Sequence, residues 1–246
     1  MNNFYQNAVT LDNMSLLCYT NATLIKGEIK GVATYFHGFG YGSMKGEPER
    51  YDEYLAENGI LTMFPFYDPW AWGNKSAMDL CDRLIDLVYE KHGLSDDVPL
   101  VITGESMGGL TALAYNVYSK RRAVACAANC PVADLAKMNE RRDILRGLGA
   151  AYASEYDTLE EAIAAVSPVE LVDKMPDIPY YVIQGGRDDE LNDSVRAGAL
   201  LIPKMQKRGL DVKYVFVPDM VHCHMPMHDY DAYYEFVKEQ VEKNAK

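Results

Sequence analysis

Gly104-Glu105-Ser106-Met107-Gly108 lies between the apolar run Leu100-Val101-Ile102 and the helical spacing of Leu110, Leu113, Ala114 and Val117. A serine at such a strand-to-helix junction sits on a sharp turn that lifts its hydroxyl clear of the sheet. The flanking glycines let the chain turn tightly and let the helix approach the strand. The stretch predicts a nucleophile elbow with Ser106 as nucleophile. Met107, the next residue, is then placed to offer its backbone N–H to an oxyanion.

Outward from the elbow, strand-like and helix-like segments alternate. Strands are expected at 31–36, 60–64, 100–103, 123–128, 180–184 and 212–217, and helices at 49–58, 76–91, 193–207 and 229–243. Two further strands near 8–11 and 15–19 are expected to form an antiparallel edge. Such alternation predicts an α/β fold, a mostly parallel central sheet with helices on both faces. Residues 135–166 break the alternation with two helical patterns, the second opened by the capping box Thr158-Leu159-Glu160-Glu161. They are expected to form a small helical cap or insertion on a single domain spanning 1–246.

A serine hydroxyl is a weak nucleophile at neutral pH. It needs a base, and the base needs a carboxylate to fix its tautomer and stabilise its cation. Both follow in the expected order. Gly185-Gly186-Arg187-Asp188-Asp189 comes after the strand at 180–184, and Pro218-Asp219-Met220-Val221-His222 after the strand at 212–217. Spacing alone allows Asp188 or Asp189 as acid, and His222 competes with His224. A metallo-hydrolase spacing His-x-His-x-Asp-His would need Asp at 226 and His at 227, where the chain has Pro226 and Met227. No metal site is expected. The five cysteines are odd in number and scattered, which fits reduced thiols in a cytoplasmic protein. Cys126 and Cys130 are read as too isolated from other soft ligands to hold zinc.

These motifs resemble the α/β-hydrolase superfamily, and within it the serine esterases and the prolyl-oligopeptidase-like or dienelactone-hydrolase-like enzymes. The resemblance runs from His37-Gly38 through the Ser106 turn to His222, and includes Ser167-Pro168-Val169-Glu170-Leu171-Val172. It implies an α/β-hydrolase fold and a Ser-His-Asp hydrolase without a cofactor. Leu191 matches the aliphatic residue that the family has three positions after its acid, which favours Asp188. His222 stands at the family's distance from the strand, which favours it over His224. The second oxyanion donor is expected at Phe39, within His37-Gly38-Phe39-Gly40, and His37 is expected to order that loop.

Tyr41, Trp70 and Trp72 follow strand ends and are expected to line the substrate pocket, where aromatic walls suit an apolar or aryl group. The expected activity is a carboxylesterase on small or medium esters. A peptidase or acyltransferase on the same triad is the first rival, although no large gating domain is recognisable. A non-catalytic ligand-binding protein on this scaffold is the second. The net charge of -12 excludes a nucleic-acid partner and disfavours anionic membranes. The N-terminus does not look like a signal peptide, and no apolar run reaches membrane-spanning length. Nothing in the sequence sets an oligomeric state.

Overall fold

Seven strands pair in the order β1-β3-β2-β4-β5-β6-β7. They are β1 (Cys18–Thr20), β2 (Gly31–Phe36), β3 (Ile60–Pro65), β4 (Leu100–Glu105), β5 (Ala125–Asn129), β6 (Tyr180–Gly185) and β7 (Val212–Val217). Only β1 runs antiparallel, against β3; every other pairing is parallel. The computed structural model describes residues 4–138 and 141–246. Its helices are α1 (Phe4–Ala8), α2 (Arg50–Glu57), α3 (Lys75–His92), α4 (Met107–Tyr118), α5 (Arg142–Tyr152), α6 (Leu159–Val166), α7 (Pro168–Leu171), α8 (Leu201–Arg208) and α9 (Met227–Asn244).

A strand's side chains point alternately to the two faces of its sheet, and the two cores follow that rule. Val32, Phe36, Leu61, Met63, Leu100 and Ile102 pack on one face with α3, α4, α6 and α8. Ala33, Ile60, Val101, Tyr181 and Ile183 pack on the other, under Tyr51 and Leu55 of α2 and Tyr233, Tyr234 and Val237 of α9. Helices therefore cover both faces, which is why the parallel strands read as unbroken apolar runs. Among the described residues, no helix is long and apolar enough to cross a membrane.

Three expected elements differ. The strand expected near 15–19 is reduced to β1 (Cys18–Thr20), because Met14–Leu16 form a 3-10 turn. Residues 8–11 are not a strand: α1 ends at Ala8 and a turn follows. Asn13 closes that turn, accepting from the Thr10 N–H (2.8 Å) and donating to the Ala8 carbonyl (2.9 Å). Such local side-chain bonds compete with a strand ladder. The helix expected at 193–207 starts only at Leu201. Pro203 is tolerated in the first turn of a helix and would break one begun at 193. Residues 192–200 instead form turns, with Asn192 Oδ1 accepting from the Ser194 and Val195 N–H groups.

The insertion consists of a 3-10 turn (Leu135–Met138), α5 and α6; residues 139 and 140, within the first expected helical pattern, lie outside the described residues. Ile144, Leu148 and Tyr152 recur every fourth residue along α5, and all three are buried. Thr158 Oγ1 accepts from the Glu161 N–H and the Glu161 carboxylate accepts from the Thr158 N–H, so the expected capping box opens α6. The Tyr152 hydroxyl donates to the Trp72 carbonyl, and the Asn74 amide donates to the Ala151 carbonyl (2.9 Å). The insertion is thereby tied to the loop after β3.

Candidate active site

Ser106 joins β4 to α4 with φ 54° and ψ -121°, a backbone conformation few non-glycine residues adopt. The glycines around it are dictated by contact. A Cβ on Gly104 would stand 2.3 Å from the Gly108 carbonyl oxygen, and one on Gly108 would stand 2.0 Å from that of Phe36. The Ser106 N–H donates to the Asn129 carbonyl (2.9 Å), anchoring the turn to β5. Met107 is the first residue of α4, so its N–H belongs to the set a helix leaves without an internal partner.

His222 and Asp188 reach this turn from loops after β7 and β6. The His222 Nδ1 lies 2.8 Å from Asp188 Oδ2, and its Nε2 lies 2.9 Å from Ser106 Oγ. With the proton on Nδ1 facing a carboxylate, Nε2 accepts from the serine hydroxyl. Asp188 Oδ2 also accepts from Gln184 Nε2 (2.9 Å), and Oδ1 accepts from the Leu191 (2.9 Å) and Glu190 (3.1 Å) N–H groups. Burial pushes the Asp188 carboxyl up, but the His222 hydrogen bond and these amides outweigh it and hold it below its ordinary value. Burial pulls the His222 imidazole down. The hydrogen bond to Asp188, and then the nearby Cys130 sulfur, outweigh that and raise it to about 9. Asp189 and His224 are exposed, and His224 turns its Nδ1 to the His222 carbonyl (2.6 Å). Geometry thus joins Asp188 and His222 to Ser106 and leaves their competitors outside.

The loop after β2 faces the same turn. His37 is fully buried and stacks on Tyr67 at 4.1 Å between ring centres. Its nitrogens face the Gly38 (3.0 Å) and Tyr67 (3.2 Å) carbonyls, and burial lowers its pKa. Phe39 is partly exposed and rests on Trp72, 5.3 Å between rings. Tyr41 stacks on His37 and lines a cavity of about 380 Å3 with Tyr35, Glu105, Asn129, Cys223 and Tyr230. The aromatics expected to line a pocket separate here. Trp70 is half exposed, while Trp72 is only 1% exposed, its indole covered by Phe39 and Gly147. Docking of α5 on the loop after β3 buries Trp72, which supports Phe39 and leaves no open ring face.

Several residues escaped the sequence reading. Gln184 stands where the resembled family often has histidine, a departure that the sequence reading sets aside as minor, yet it is fully buried against Asp188. Arg196 holds the acid loop through the carbonyls of Gly186, Asp188 and Leu191. Cys130 is not isolated. Its Sγ, the Cys223 Sγ and a His222 ring nitrogen all lie within 4.8 Å of one another. The Cys223 N–H donates to Cys130 Sγ (3.4 Å). The Cys223 thiol, then His222, brings the Cys130 thiol down, whereas the same contact raises Cys223. The one local signal was that Cys223 adjoins His222; Cys130 is 93 positions away.

The family model described as the prolyl oligopeptidase family matches residues 70–244. No curated protein sequence matches the chain. Among solved structures, an inhibited form of esterase B from Lactobacillus rhamnosis superposes with a TM-score of 0.68 at 15% identity, covering 89% of this chain and 79% of that one. The propionate-bound esterase Est2 of Thermogutta terrifontis gives 0.62 at 19% identity, covering 92% and 88%. The acylaminoacyl peptidase of Pyrococcus horikoshii gives 0.69 at 16% identity, covering 90% of this chain and 38% of that one. These likenesses establish the α/β-hydrolase fold, and the family match adds that the chain belongs to the prolyl oligopeptidase family of serine hydrolases.

Proposed function

We infer that the chain is a carboxylesterase for small or medium esters, working through an acyl-enzyme. The observation that carries this reading is the unbroken relay from Ser106 Oγ to His222 Nε2 (2.9 Å) and from His222 Nδ1 to Asp188 Oδ2 (2.8 Å). Ser106 attacks the ester carbonyl while His222 takes its proton. Asp188 orients the imidazole and stabilises its cation. The N–H groups of Met107 and Phe39 bind the oxyanion. His222 then protonates the departing alcohol, and water releases the acid by the same steps in reverse. The cavity beside Glu105 and Tyr41, about 380 Å3, takes the acyl or alcohol group. We read the whole chain as one catalytic domain, with 135–166 as its cap.

Ester rather than amide cleavage is supported by the two esterases among the similar structures, one with propionate bound. The family match and the acylaminoacyl peptidase favour a peptidase as the second reading. The test is fluorophosphonate labelling located by mass spectrometry, beside p-nitrophenyl esters of increasing chain length and an aminoacyl-amide series. An adduct on Ser106, with ester turnover abolished in Ser106→Ala, is the expected result. Full turnover in Ser106→Ala would overturn the mechanism, and faster cleavage of the amides would move the assignment to a peptidase.

A further inference from the structure

Two cysteines from distant parts of the chain meet the base of the relay. Cys130 directly follows β5 with φ 43°, and Cys223 follows His222 with φ 58°. Their sulfurs and a His222 ring nitrogen lie within 4.8 Å of one another. Two thiols and an imidazole are the donor set that soft divalent ions select over calcium or magnesium. Around a tetrahedral zinc ion such donors stand about 3.5 Å apart, so side-chain torsions close the remaining gap.

The histidine is already set for coordination. Its Nδ1 is engaged by Asp188 at 2.8 Å, which turns the Nε2 lone pair, on the Ser106 hydroxyl at 2.9 Å, toward the open side of the ring. A carboxylate behind a histidine in this way fixes the tautomer and strengthens the nitrogen as a ligand. Two further observations mark the place. The cavity of about 380 Å3 is lined by Cys223, Asn129 and His224, giving an ion a route to a sulfur. The Asn129 Oδ1 is buried there with no hydrogen-bond partner among the described residues.

We propose that Cys130 Sγ, Cys223 Sγ and His222 Nε2 form an inhibitory binding site for zinc or a similar soft divalent cation. Each sulfur binds as a thiolate, its proton passing to the solvent, and no electron is transferred. The fourth position is left to water or to Ser106 Oγ, the three-ligand arrangement of an open zinc site. The lone pair that coordinates the ion is the one that must accept the Ser106 proton. Binding and hydrolysis therefore exclude each other, and removal of the ion restores the enzyme. The inhibition rests on the serine-hydrolase reading of His222; the coordination does not.

The test uses the full chain kept reduced, in a buffer that does not bind metals. Cobalt(II) chloride is titrated in and the near-ultraviolet thiolate-to-cobalt band is followed. In parallel, zinc chloride is titrated against p-nitrophenyl ester hydrolysis. The expected result is a band saturating at one cobalt per chain, lost in Cys130→Ser and in Cys223→Ser. Zinc should inhibit the wild type, with recovery on adding a chelator. Each variant, compared with its own metal-free rate, should need at least about tenfold more zinc. A missing band, or a band unchanged in both variants, overturns the site. A band of the expected kind without any ester turnover leaves the site standing and removes the esterase assignment instead. Equal zinc sensitivity in wild type and variants would show that the ion inhibits elsewhere, and would overturn the inhibitory role.

Discussion

The nucleophile turn and the acid loop deliver their groups to the same point by opposite means. Around Ser106 the backbone does the positioning: Gly104 and Gly108 approach neighbouring main chain so closely that no side chain fits. Around Asp188 separate hydrogen bonds do it, with Gln184 and the Leu191 and Glu190 amides holding the carboxylate and Arg196 gathering three loop carbonyls. A turn fixed by close packing fails as a unit when an atom is added. A loop fixed by separate hydrogen bonds loses its precision one bond at a time. The two regions should therefore answer mutation differently, the first in stability and the second in rate.

The largest effect expected is at the acid itself. Asp188→Asn should lower kcat by about 10^4, because the amide favours the wrong imidazole tautomer; Asp189→Asn should leave steady-state ester hydrolysis unchanged. Equal losses in the two would erase the contrast between the aspartates. Next, Gly108→Ala should lower the unfolding free energy by about 3 kcal/mol or more in a denaturant titration, since its methyl would meet the Phe36 carbonyl. A fully stable, fully active Gly108→Ala would break the view of the turn as a packed unit. Gln184→Leu should lower kcat by about tenfold, the scale of one hydrogen bond to a charged group. Its effect on KM should be small, and Gln184→Glu should not rescue it, because a second carboxylate would face Asp188.

The smallest effect expected is a displacement of the pH profile in Asp188→Asn. In the proposed mechanism His222 is a base only when neutral, and its pKa is held up at about 9. Hydrolysis by the metal-free enzyme should therefore rise with pH, about tenfold per unit, until it levels near that value. Removing the charge of Asp188 removes a cause of the raised value, so the residual activity of Asp188→Asn should level off at lower pH. Stability runs the other way. A histidine raised above its ordinary 6.5 by folding stabilises fully below 6.5, and that contribution fades as pH climbs through about 9. A pH-rate limb that stays in place in Asp188→Asn would deny the carboxylate its influence on the imidazole.

Legibility in the sequence followed the same division. Ser106, Met107 and the strand and helix beside them were readable because the turn is local, its glycines and apolar spacing lying within a few residues. The strand at 212–217 was readable to its ends for a similar reason. The start of α8 was not, because Pro203 and the Asn192 turn outweigh the helical spacing of their neighbours. Gln184 showed only as a departure from the family's histidine, and Arg196 gave no signal, since a hydrogen bond to a loop carbonyl leaves no pattern in composition. Cys130 looked solitary because only the parallel pairing of β5, β6 and β7 carries it to His222. Trp72 read as a pocket wall by chain position, and only the docking of α5 turns it into a buried support.

Four non-glycine residues among those described have a left-handed backbone, and three of them, Ser106, Cys130 and Cys223, surround the base. Each such residue holds its conformation at a cost of about 1 kcal/mol that glycine would avoid. Selection for heat tolerance alone would favour glycine at all three places. It would remove the proposed nucleophile at one and a sulfur at each of the others. The conformational burden is concentrated where the chemistry lies, so a more heat-resistant descendant that kept its activity would have to gain its stability elsewhere in the sheet and helices.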